Sequence, residues 1–412
     1  MSKFSTNKFK LLNDPIYGFI TIPNSLIFEL IEHPYFQRLR RISQMGLSHL
    51  VYPGAHHSRF HHAIGCVYLM QKAIRVLRFK KIEITEKEEN ALYAAILLHD
   101  IGHGAFSHAL ENSIVSSISH EEISLKFMEE LNSQFNNKLM LAIEIFKGNY
   151  YKKFLYQLIS SQLDMDRLDY LKRDSFYSGV AEGNINSDRL IAMLNVYDNE
   201  LVVEEKGIYS VEKFIVGRRL MYWQVYLHKT GLAAELLLVT ILKRAKELAL
   251  NGFDLPASNN LKYFLKNEIN QENFDTTTLK IFAELDDYDV LAAIKEWTKH
   301  EDKVLSSLSL MLINRNLPKV QLQNQKFGKV EVKKIKEKIT EKFKISSEDM
   351  PYYIYEGSVA NQAYNNKENT IKLLQKNGKT IDLAIASDQL NLMALSKPVI
   401  KYYICYPKQF NY

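Results

Sequence analysis

The sequence predicts a mainly α-helical fold, with a helical core over residues 1–250 and a smaller α+β region over residues 251–412. Apolar residues recur at a helical period through most of the first 250 positions. Near the end of the chain, two strand-like segments flank Asn377-Gly378, a dipeptide typical of hairpin turns. Asn and Lys become more frequent after Gly252, which indicates a change of region. A chain of 412 residues has room for two or three domains.

The predicted helices follow one another through short turns. They cover residues 25–31, 35–45, 61–79, 91–98, 139–146, 154–171, 211–226 and 232–250. Two capping boxes, Thr85 with Glu88 and Ser119 with Glu122, mark helix starts. A hairpin is predicted over residues 199–210, with its turn at Lys206-Gly207. Further strands are predicted at residues 370–374, 380–386 and 399–406, and a basic amphipathic helix at residues 329–344.

The composition is that of an ordinary globular protein, with 46% hydrophobic and 24% charged residues, which excludes disorder as the main state. The apolar runs are far shorter than the ~20 residues that span a bilayer, so no membrane partner is expected. Two distant cysteines and a polar N-terminus favour a cytoplasmic protein. The net charge of +6 suits polyanionic small molecules as well as nucleic acid, so it decides nothing alone.

Histidine is distributed very unevenly along the chain. Of 12 histidines, 9 lie between His49 and His120, a window of 72 residues in which an even spread would place about two. Scattered surface histidines would not cluster in this way. The clustering indicates a chemical site.

The pair His99-Asp100 closes a predicted apolar helix and offers one imidazole and one carboxylate to a single ion. In isolation, such a pair would more often be a hydrogen-bonded core pair. His103 follows at a spacing of four residues, and the glycines on both of its sides allow a ligand to approach closely. These neighbours favour a metal site over a core pair.

Two further segments could complete that site. His62 stands at the start of a predicted helix, and Asp166, Tyr170 and Asp174 form one stripe of another. A solvated polar face would explain the stripe equally well. Together, His62, His99, Asp100 and Asp166 make a mixed nitrogen and oxygen donor set, which suits Mn, Mg, Fe, Zn or Ni without choosing among these divalent metals. Four such ligands on a six-coordinate ion leave two positions for water and substrate.

The order of these residues resembles the H…HD…D signature of the HD-domain metal-dependent phosphohydrolases, and in particular the deoxynucleoside triphosphate triphosphohydrolases. The resemblance covers residues 10–250. The matching segments are residues 14–18 (DPIYG), 36–42 (FQRLRRI), 44–46 (QMG), 52–55 (YPGA), 59–60 (RF) and 99–108 (HDIGHGAFSH).

The resemblance implies a helical HD-domain core that hydrolyses deoxynucleoside triphosphates (dNTPs) to deoxynucleoside and triphosphate, with the metal on the four residues named above. It implies acid/base roles for His103, His120 and Glu111. It also implies a set of substrate contacts, to phosphates or sugar from Arg59, His108, Arg167, Tyr170, Arg218 and Tyr226, and to the 3′-hydroxyl from Gln44 and Asp174. Arginine and histidine are suitable donors to a polyphosphate.

The sequence departs from this pattern at two positions, and several questions stay open. Tyr222 and Leu227 replace a histidine and a glutamine that are common in the family, which leaves the substrate preference unsettled.

The resemblance implies a homo-oligomer, a tetramer or a hexamer. A possible allosteric nucleotide would meet Glu32, Gln37 and Arg40, although these residues equally fit a surface helix. The alternatives are an HD phosphohydrolase acting on another nucleotide or phosphate ester, and a regulator that binds nucleotides or nucleic acid.

Overall fold

The computed structural model describes residues 10–107, 109–111, 113–115, 117–366, 370–387 and 395–408. These residues form a mainly α-helical protein with a few small sheets, as the sequence predicts. The helices up to residue 250 are α1 Ser25–Glu32, α2 Pro34–Gln37, α3 Arg59–Phe79, α4 Glu86–Leu98, α5 His120–Gln134, α6 Met140–Phe146, α7 Lys153–Ile159, α8 Met165–Ser178, α9 Ser187–Met193, α10 Ile208–Met221 and α11 Lys229–Leu250.

Both predicted capping boxes are confirmed. The amide of Glu88 donates to Thr85 Oγ1 at 3.2 Å, and the Glu88 carboxylate accepts from the amide of Thr85 at 2.8 Å. Ser119 and Glu122 make the same reciprocal pair at the start of α5. Each box satisfies amides that the first helical turn leaves without partners. The two helices that flank the histidine-rich segment therefore begin where the local sequence predicts.

The predicted helix over residues 154–171 is wrong, because the structure divides it into α7 and α8. The Asp164 side chain accepts a hydrogen bond from the Arg167 amide at 2.7 Å and starts a new helix there. The predicted helix over residues 35–45 is also interrupted. It becomes α2, a 3₁₀ turn over Arg38–Arg41 and an extended residue, Ile42, after which Ser43 forms a bridge with Ser58. The predicted helix over residues 211–226 begins in α10 and ends in a π-type turn, Tyr222–Tyr226.

The predicted hairpin near residue 200 exists, but its turn lies elsewhere. Its strands are β3 Leu194–Tyr197 and β4 Glu200–Glu204. Asp198 and Asn199 form the turn with φ values of 50° and 61°, a conformation that asparagine and aspartate tolerate better than most residues. Lys206-Gly207 instead lies in a short 3₁₀ turn that leads into α10. An earlier hairpin pairs β1 Leu11–Asp14 with β2 Gly18–Thr21.

The region after residue 250 combines helices with small sheets. Its described helices are α12 Asn259–Lys266, α13 Thr276–Ala283, α14 Asp287–Trp297, α15 Lys303–Ile313, α16 Lys329–Phe343, α17 Met350–Tyr353 and α18 Leu383–Ala386. Its strands are β5 Lys319–Gln323, β6 Tyr355–Asn361, β7 Lys372–Leu374, β8 Thr380–Asp382 and β9 Val399–Tyr406. The predicted strand over residues 380–386 is therefore half strand and half helix, because the Asp382 side chain caps α18 by accepting from the Ala384 amide.

The sheets join distant parts of the chain. β9 pairs antiparallel with both β5 and β6, and β7 lies parallel to β4 of the earlier hairpin and antiparallel to β8. One hydrophobic core contains α3, α4 and α11 as well as α13 to α15, so apolar packing continues across residue 250. The division of the chain at that residue stays a prediction.

The described helices were compared with the requirements for crossing a membrane. No single one of them is both long enough and apolar enough to span a bilayer. The segments Glu205–Tyr226 and Lys229–Leu250 reach that length and composition only when taken together, and they are bent by 58° relative to each other.

Candidate active site

Three helices bring the predicted metal ligands together. His62 lies in the first turn of α3, His99 and Asp100 directly follow α4, and Asp166 lies in the first turn of α8. α3 packs against both α4 and α8. The four side chains therefore meet where the ends of these helices converge.

The four side chains point their donor atoms at one another. His62 Nε2 lies 3.1 Å from Asp166 Oδ1 and 3.7 Å from Asp100 Oδ2. His99 Nε2 lies 3.5 Å from both Asp166 Oδ1 and Asp100 Oδ1. Two imidazole nitrogens and two carboxylates thus surround a common point.

The hydrogen bonds of the two imidazoles decide which nitrogen faces that point. His62 Nδ1 lies 2.7 Å from Asp169 Oδ2, and His99 Nδ1 lies 2.7 Å from the Ile96 carbonyl oxygen. Because both partners are acceptors, each Nδ1 carries the proton and each Nε2 presents a lone pair to the carboxylates. Buried His99 Nε2 makes no hydrogen bond to the described residues. Lone pairs facing carboxylates suit a cation, so this donor set fits a divalent metal ion.

A fully buried ion-pair network supports His62 from behind. The Arg173 guanidinium donates to both oxygens of Asp169, at 2.8 and 3.0 Å, and to Asp14 Oδ2 at 2.7 Å. Burial alone would raise the pKa of Asp169, but the charge of Arg173 and the hydrogen bond from His62 lower it to about 2. A Cβ at Gly65 would lie 2.1 Å from Asp169 Oδ1, so only glycine leaves room for this network. The sequence patterns assign no role to Asp169, although its spacing of four residues from Arg173 is typical of a helical ion pair.

Cys66 also lies beside His62, one helical turn further along α3. Its Sγ atom is 3.6 Å from both ring nitrogens of His62. The sulfur therefore does not approach Nε2, the nitrogen that faces the carboxylates, more closely than Nδ1, although it lies within reach of the same cluster. Burial raises the pKa of the Cys66 thiol. Cys66 is therefore a packing partner of the imidazole rather than part of the donor set.

Arg59 connects Asp100 to the loop that follows the HD pair. Its Nη1 atom donates to Asp100 Oδ2, and its Nε and Nη2 atoms donate to Ser107 Oγ at 3.2 and 2.8 Å. The Ser107 hydroxyl in turn donates to the Ser43 carbonyl oxygen at 3.0 Å. Arg59 is thus held in one orientation beside the carboxylate of Asp100.

The groups around Asp100 keep it ionised. Burial alone would raise the pKa of this carboxyl, yet His103, His99 and Arg59 hold it well below its usual range. Likewise, the neighbouring imidazoles of His62 and His99 lower the pKa of Asp166 in spite of its burial. Both carboxylates are therefore negatively charged and ready to hold a cation.

A second histidine group lies directly beside the first. His103 Nδ1 is 3.3 Å from Asp100 Oδ1, and the rings of His103 and His120 lie against each other at a tilt of 33°, with their centroids 3.9 Å apart. His120 Nδ1 is 3.1 Å from Glu111 Oε1, and its Nε2 is 3.3 Å from Glu121 Oε1. Burial lowers the pKa of His120, but the hydrogen bond with Glu111 and the nearby carboxylates raise it overall. The arrangement is suited to holding and moving a proton.

Both histidine groups face one cleft of about 770 Å³. Most of the predicted site residues line it, namely Gln44, Arg59, His99, Asp100, His103, His120, Asp166, Arg167, Tyr170, Asp174 and Tyr226. Tyr222 and Leu227, the two departures from the family pattern, line it as well. Gln44 Oε1 is buried and has no hydrogen-bond partner among the described residues.

Three predicted site residues do not line the cleft, and a fourth cannot be placed. His62 is fully buried behind the other ligands, and Glu111 contacts the cleft residue His120. Arg218 is nearly buried and donates through Nη2 to the Gln362 carbonyl oxygen at 3.3 Å, so its charge is directed at the C-terminal region. His108 lies outside the described residues.

Asp174, which lines the cleft, belongs to a hydrogen-bonded group in which the sequence patterns do not reveal His57. Asp174 contacts His57 Nε2 through Oδ1 and accepts from the Tyr226 hydroxyl through Oδ2, both at 2.7 Å. His57 is buried, and its ring stacks on Tyr177. The sequence predicts no role for His49, His56, His57 or His61. The position of His57 two residues before Arg59 was the only indication that it lies near the site.

Comparison with known proteins identifies the fold family. A model of the HD domain matches residues 59–174, and a model of an HD-associated region matches residues 185–263. The Bacillus subtilis protein YwfO is 32% identical over 392 residues, which are 91% of this chain and 87% of YwfO. The chain belongs to the HD-domain phosphohydrolase family. A crystal structure of a phosphohydrolase from Bacteroides thetaiotaomicron superposes on this HD protein with a TM-score of 0.94 and 51% identity, covering 97% of this chain and 100% of that one.

Named enzymes also occur among the relatives. The deoxynucleoside triphosphate triphosphohydrolase SAMHD1 from Homo sapiens is 26% identical over 370 residues, which are 79% of this chain and 57% of SAMHD1. The SAMHD1 homolog from Dictyostelium discoideum is 31% identical over 257 residues, 58% of this chain and 50% of that protein. This HD protein thus matches about half the length of these enzymes. Since HD domains bind divalent metal ions, the cluster of His62, His99 and Asp166 at the base of its cleft could hold one.

Proposed function

We propose that this HD protein hydrolyses deoxynucleoside triphosphates to deoxynucleoside and triphosphate, as its SAMHD1 relatives are named for doing. The observation that carries the proposal is the shape of the site. Two imidazoles with Nε2 lone pairs directed at two carboxylates lie at the base of a single cleft, which is large enough for a nucleotide. The same cleft is also lined by an oriented carboxylate, Asp174.

In this proposal His62, His99, Asp100 and Asp166 hold the divalent metal ion. A metal on this donor set would polarise a phosphoryl oxygen and lower the pKa of bound water. The remaining groups bind and orient the substrate. Arg59 and Arg167 provide guanidinium donors to the phosphates, since both line the cleft.

Proton transfer is assigned to the two adjacent histidines. His103 lies nearest to the proposed metal ligands, and His120 with Glu111 forms the second pair of the relay. The raised pKa of His120 favours its protonated form, which an acid for the leaving group requires. His108 is assigned a contact to the phosphates, like Arg59 and Arg167, because of its place in the motif.

Recognition of the sugar and base is assigned to the other walls. Asp174 accepts a hydrogen bond from the 3′-hydroxyl, and Gln44 donates one to it. Tyr170 and Tyr226 limit the space beside the sugar. Phe146, Ile159 and Leu238 form an apolar wall that suits the face of a nucleobase. Arg218 belongs to the phosphate end in this proposal, which requires its guanidinium to exchange the Gln362 carbonyl for a phosphate. Tyr222 and Leu227 stand at the positions that are expected to tune the substrate preference.

The test is direct. The purified protein is incubated with each dNTP in the presence of Mn²⁺ or Mg²⁺, and the products are separated by ion-exchange chromatography. Triphosphate and deoxynucleoside are expected, whereas pyrophosphate and a nucleoside monophosphate would contradict the proposed cleavage site. Asp166→Ala and His99→Ala should abolish turnover. Asp254→Ala, an exposed aspartate paired with Lys262, is the matched control that should keep it.

The assembly of the protein forms a separate part of the proposal. We propose a homo-oligomer, tetramer or hexamer, and a nucleotide-sensitive surface near Glu32, Gln37 and Arg40. Analytical ultracentrifugation with and without dNTPs tests both statements. A monomer that does not change with nucleotide would contradict them and would leave the hydrolase assignment intact.

A further inference from the structure

Asp287 lies at the start of α14, outside the segments that match the HD models, and yet it reaches the active site. We propose that Asp287 is a positioning residue that holds two cleft-forming segments of the chain in their working arrangement. Its Oδ1 atom accepts from the Phe106 amide at 2.6 Å, and its Oδ2 atom accepts from the Ser43 amide at 2.8 Å. Asp287 is only 5% exposed, so water does not compete for these bonds. The inference rests on the proposed function for its kinetic part only.

The first of these segments needs external support. Phe106 and Ser107 are consecutive non-glycine residues with φ values of 52° and 60°, in the left-handed region that such side chains disfavour. A strained conformation persists only where its surroundings impose it. The Ser107 amide donates to the Gly104 carbonyl oxygen at 3.0 Å, and the bond from Phe106 to Asp287 supplies the outside contact.

The second segment leads directly to Gln44, which lines the cleft. Ser43 bonds to Asp287 through its amide, while its carbonyl oxygen accepts from the Ser107 hydroxyl. The two segments are therefore joined twice, once through the Asp287 carboxylate and once through Ser107. Since Ser107 also accepts two bonds from Arg59, the position of the Arg59 guanidinium depends on this junction.

Asp287 is itself held rigidly. The preceding residue, Asp286, caps α14 and accepts a hydrogen bond from Arg41. The fully buried Arg38 donates to two carbonyl oxygens, that of Leu285 at 3.3 Å and that of Ile101 at 2.7 Å. Ile101 directly follows the HD pair. A carboxylate at the first position of a helix is also favoured by the helix dipole. The start of α14 is thus attached on one side to the loop that contains Phe106 and Ser107, and on the other side to the segment before Gln44.

The experiment compares Asp287→Ala with Asp302→Ala in the full chain. Asp302 is a matched control because it caps the neighbouring helix α15 and pairs with Arg244, away from the cleft. Hydrogen exchange of the Ser43 and Phe106 amides, followed by mass spectrometry, is the readout that does not need activity. In Asp287→Ala these amides should exchange at least about 10-fold faster than in the wild type, and in Asp302→Ala they should not change. Thermal unfolding measures the stability loss of both variants.

The kinetic arm uses the dNTP that the wild type hydrolyses best. We expect kcat/KM of Asp287→Ala to fall by about 10-fold or more, beyond any loss in an equally destabilised Asp302→Ala protein. Asp287→Asn keeps one acceptor and should recover part of the loss, and it serves in place of the alanine variant should that one not fold. The proposal would be overturned if the Ser43 and Phe106 amides exchanged at the wild-type rate in Asp287→Ala. It would also be overturned if kcat/KM fell in proportion to the loss of thermal stability, and to the same extent, in both alanine variants. A wild type inactive on every dNTP would refute the proposed function, while the exchange data would still decide the role of Asp287.

Discussion

The imidazole of His57 and the carboxylate of Asp174 are joined by a 2.7 Å contact inside the wall of the cleft, although 117 positions separate them. The other oxygen of Asp174 accepts from the Tyr226 hydroxyl, so both of its oxygens are occupied and its orientation is determined. Under the proposed function, this orientation decides how a 3′-hydroxyl is received.

We predict that His57→Ala weakens the preference for substrates with a 3′-hydroxyl. Without the imidazole, Asp174 loses one of its two fixed bonds, and a hydrogen bond to a charged group is worth about 1.5–3 kcal/mol, or roughly 10-fold or more in rate. The ratio of kcat/KM for a dNTP to that for its 2′,3′-dideoxy analogue should fall accordingly. His56→Ala, at the exposed neighbouring histidine, is the control and should keep the wild-type ratio. An unchanged ratio in His57→Ala would show that Asp174 does not depend on this contact.

Asp169→Asn should weaken metal binding without removing a ligand. Asp169 keeps the proton of His62 on Nδ1, and losing such a partner costs about 10- to 100-fold in metal affinity. Isothermal titration with Mn²⁺ measures the change. Asp188→Asn, which alters an exposed aspartate paired with Lys72, should bind Mn²⁺ as the wild type does. If Asp169→Asn binds Mn²⁺ equally tightly, the support from Asp169 is unimportant for the site.

Gly102→Ala should destabilise the folded protein. A Cβ at this position would lie 2.2 Å from the His120 carbonyl oxygen and 2.3 Å from the Ser124 amide nitrogen, and neither backbone atom can move freely. Overpacking of this kind costs about 1–3 kcal/mol. Urea unfolding measures the loss. Gly328→Ala, where no atom lies within 4 Å of the added carbon, loses only the preference of the α16 N-cap for glycine over alanine and should cost less, at most about 1 kcal/mol. Equal losses in the two variants would refute the argument.

Glu88→Gln should change the pH dependence of stability. Burial alone would raise the pKa of Glu88, but bonds from the Thr85 amide, Lys152 and Tyr150 outweigh it and lower the pKa. A carboxyl whose pKa is lowered by folding stabilises the folded state above its unfolded pKa, and this contribution disappears as the pH falls through the folded value. The variant should be less stable than the wild type by about 1–3 kcal/mol at neutral pH.

The difference in the free energy of unfolding between the wild type and Glu88→Gln should then shrink as the pH is lowered below 4.5, the ordinary pKa of a glutamate. Urea unfolding at a series of pH values follows it. Glu86→Gln, at an exposed position in the same helical turn, should show little difference at any pH. A Glu88→Gln difference that stays constant with pH would mean that its charge is not the source of the stabilisation.

The sequence by itself determined the features that depend on neighbouring residues. The capping boxes at Thr85 and Ser119 are confirmed because a cap is a contact between residues three positions apart. The mainly α-helical fold is confirmed because apolar periodicity records which face of each helix is buried. The order of His62, His99-Asp100 and Asp166 indicated one site, which the convergence of α3, α4 and α8 now makes geometrically possible.

One local feature was missed, because a continuous apolar pattern concealed the Asp164 cap that separates α7 from α8. Tertiary structure alone decided the rest. His57, Asp169 and Asp287 gained their roles from partners that are 117, 107 and 181 positions away. Local conformational preferences act over a few residues, whereas such contacts form only when whole helices pack and exclude water. The sequence therefore predicted the metal donors that we propose, and the packing of the chain determined which other side chains orient them.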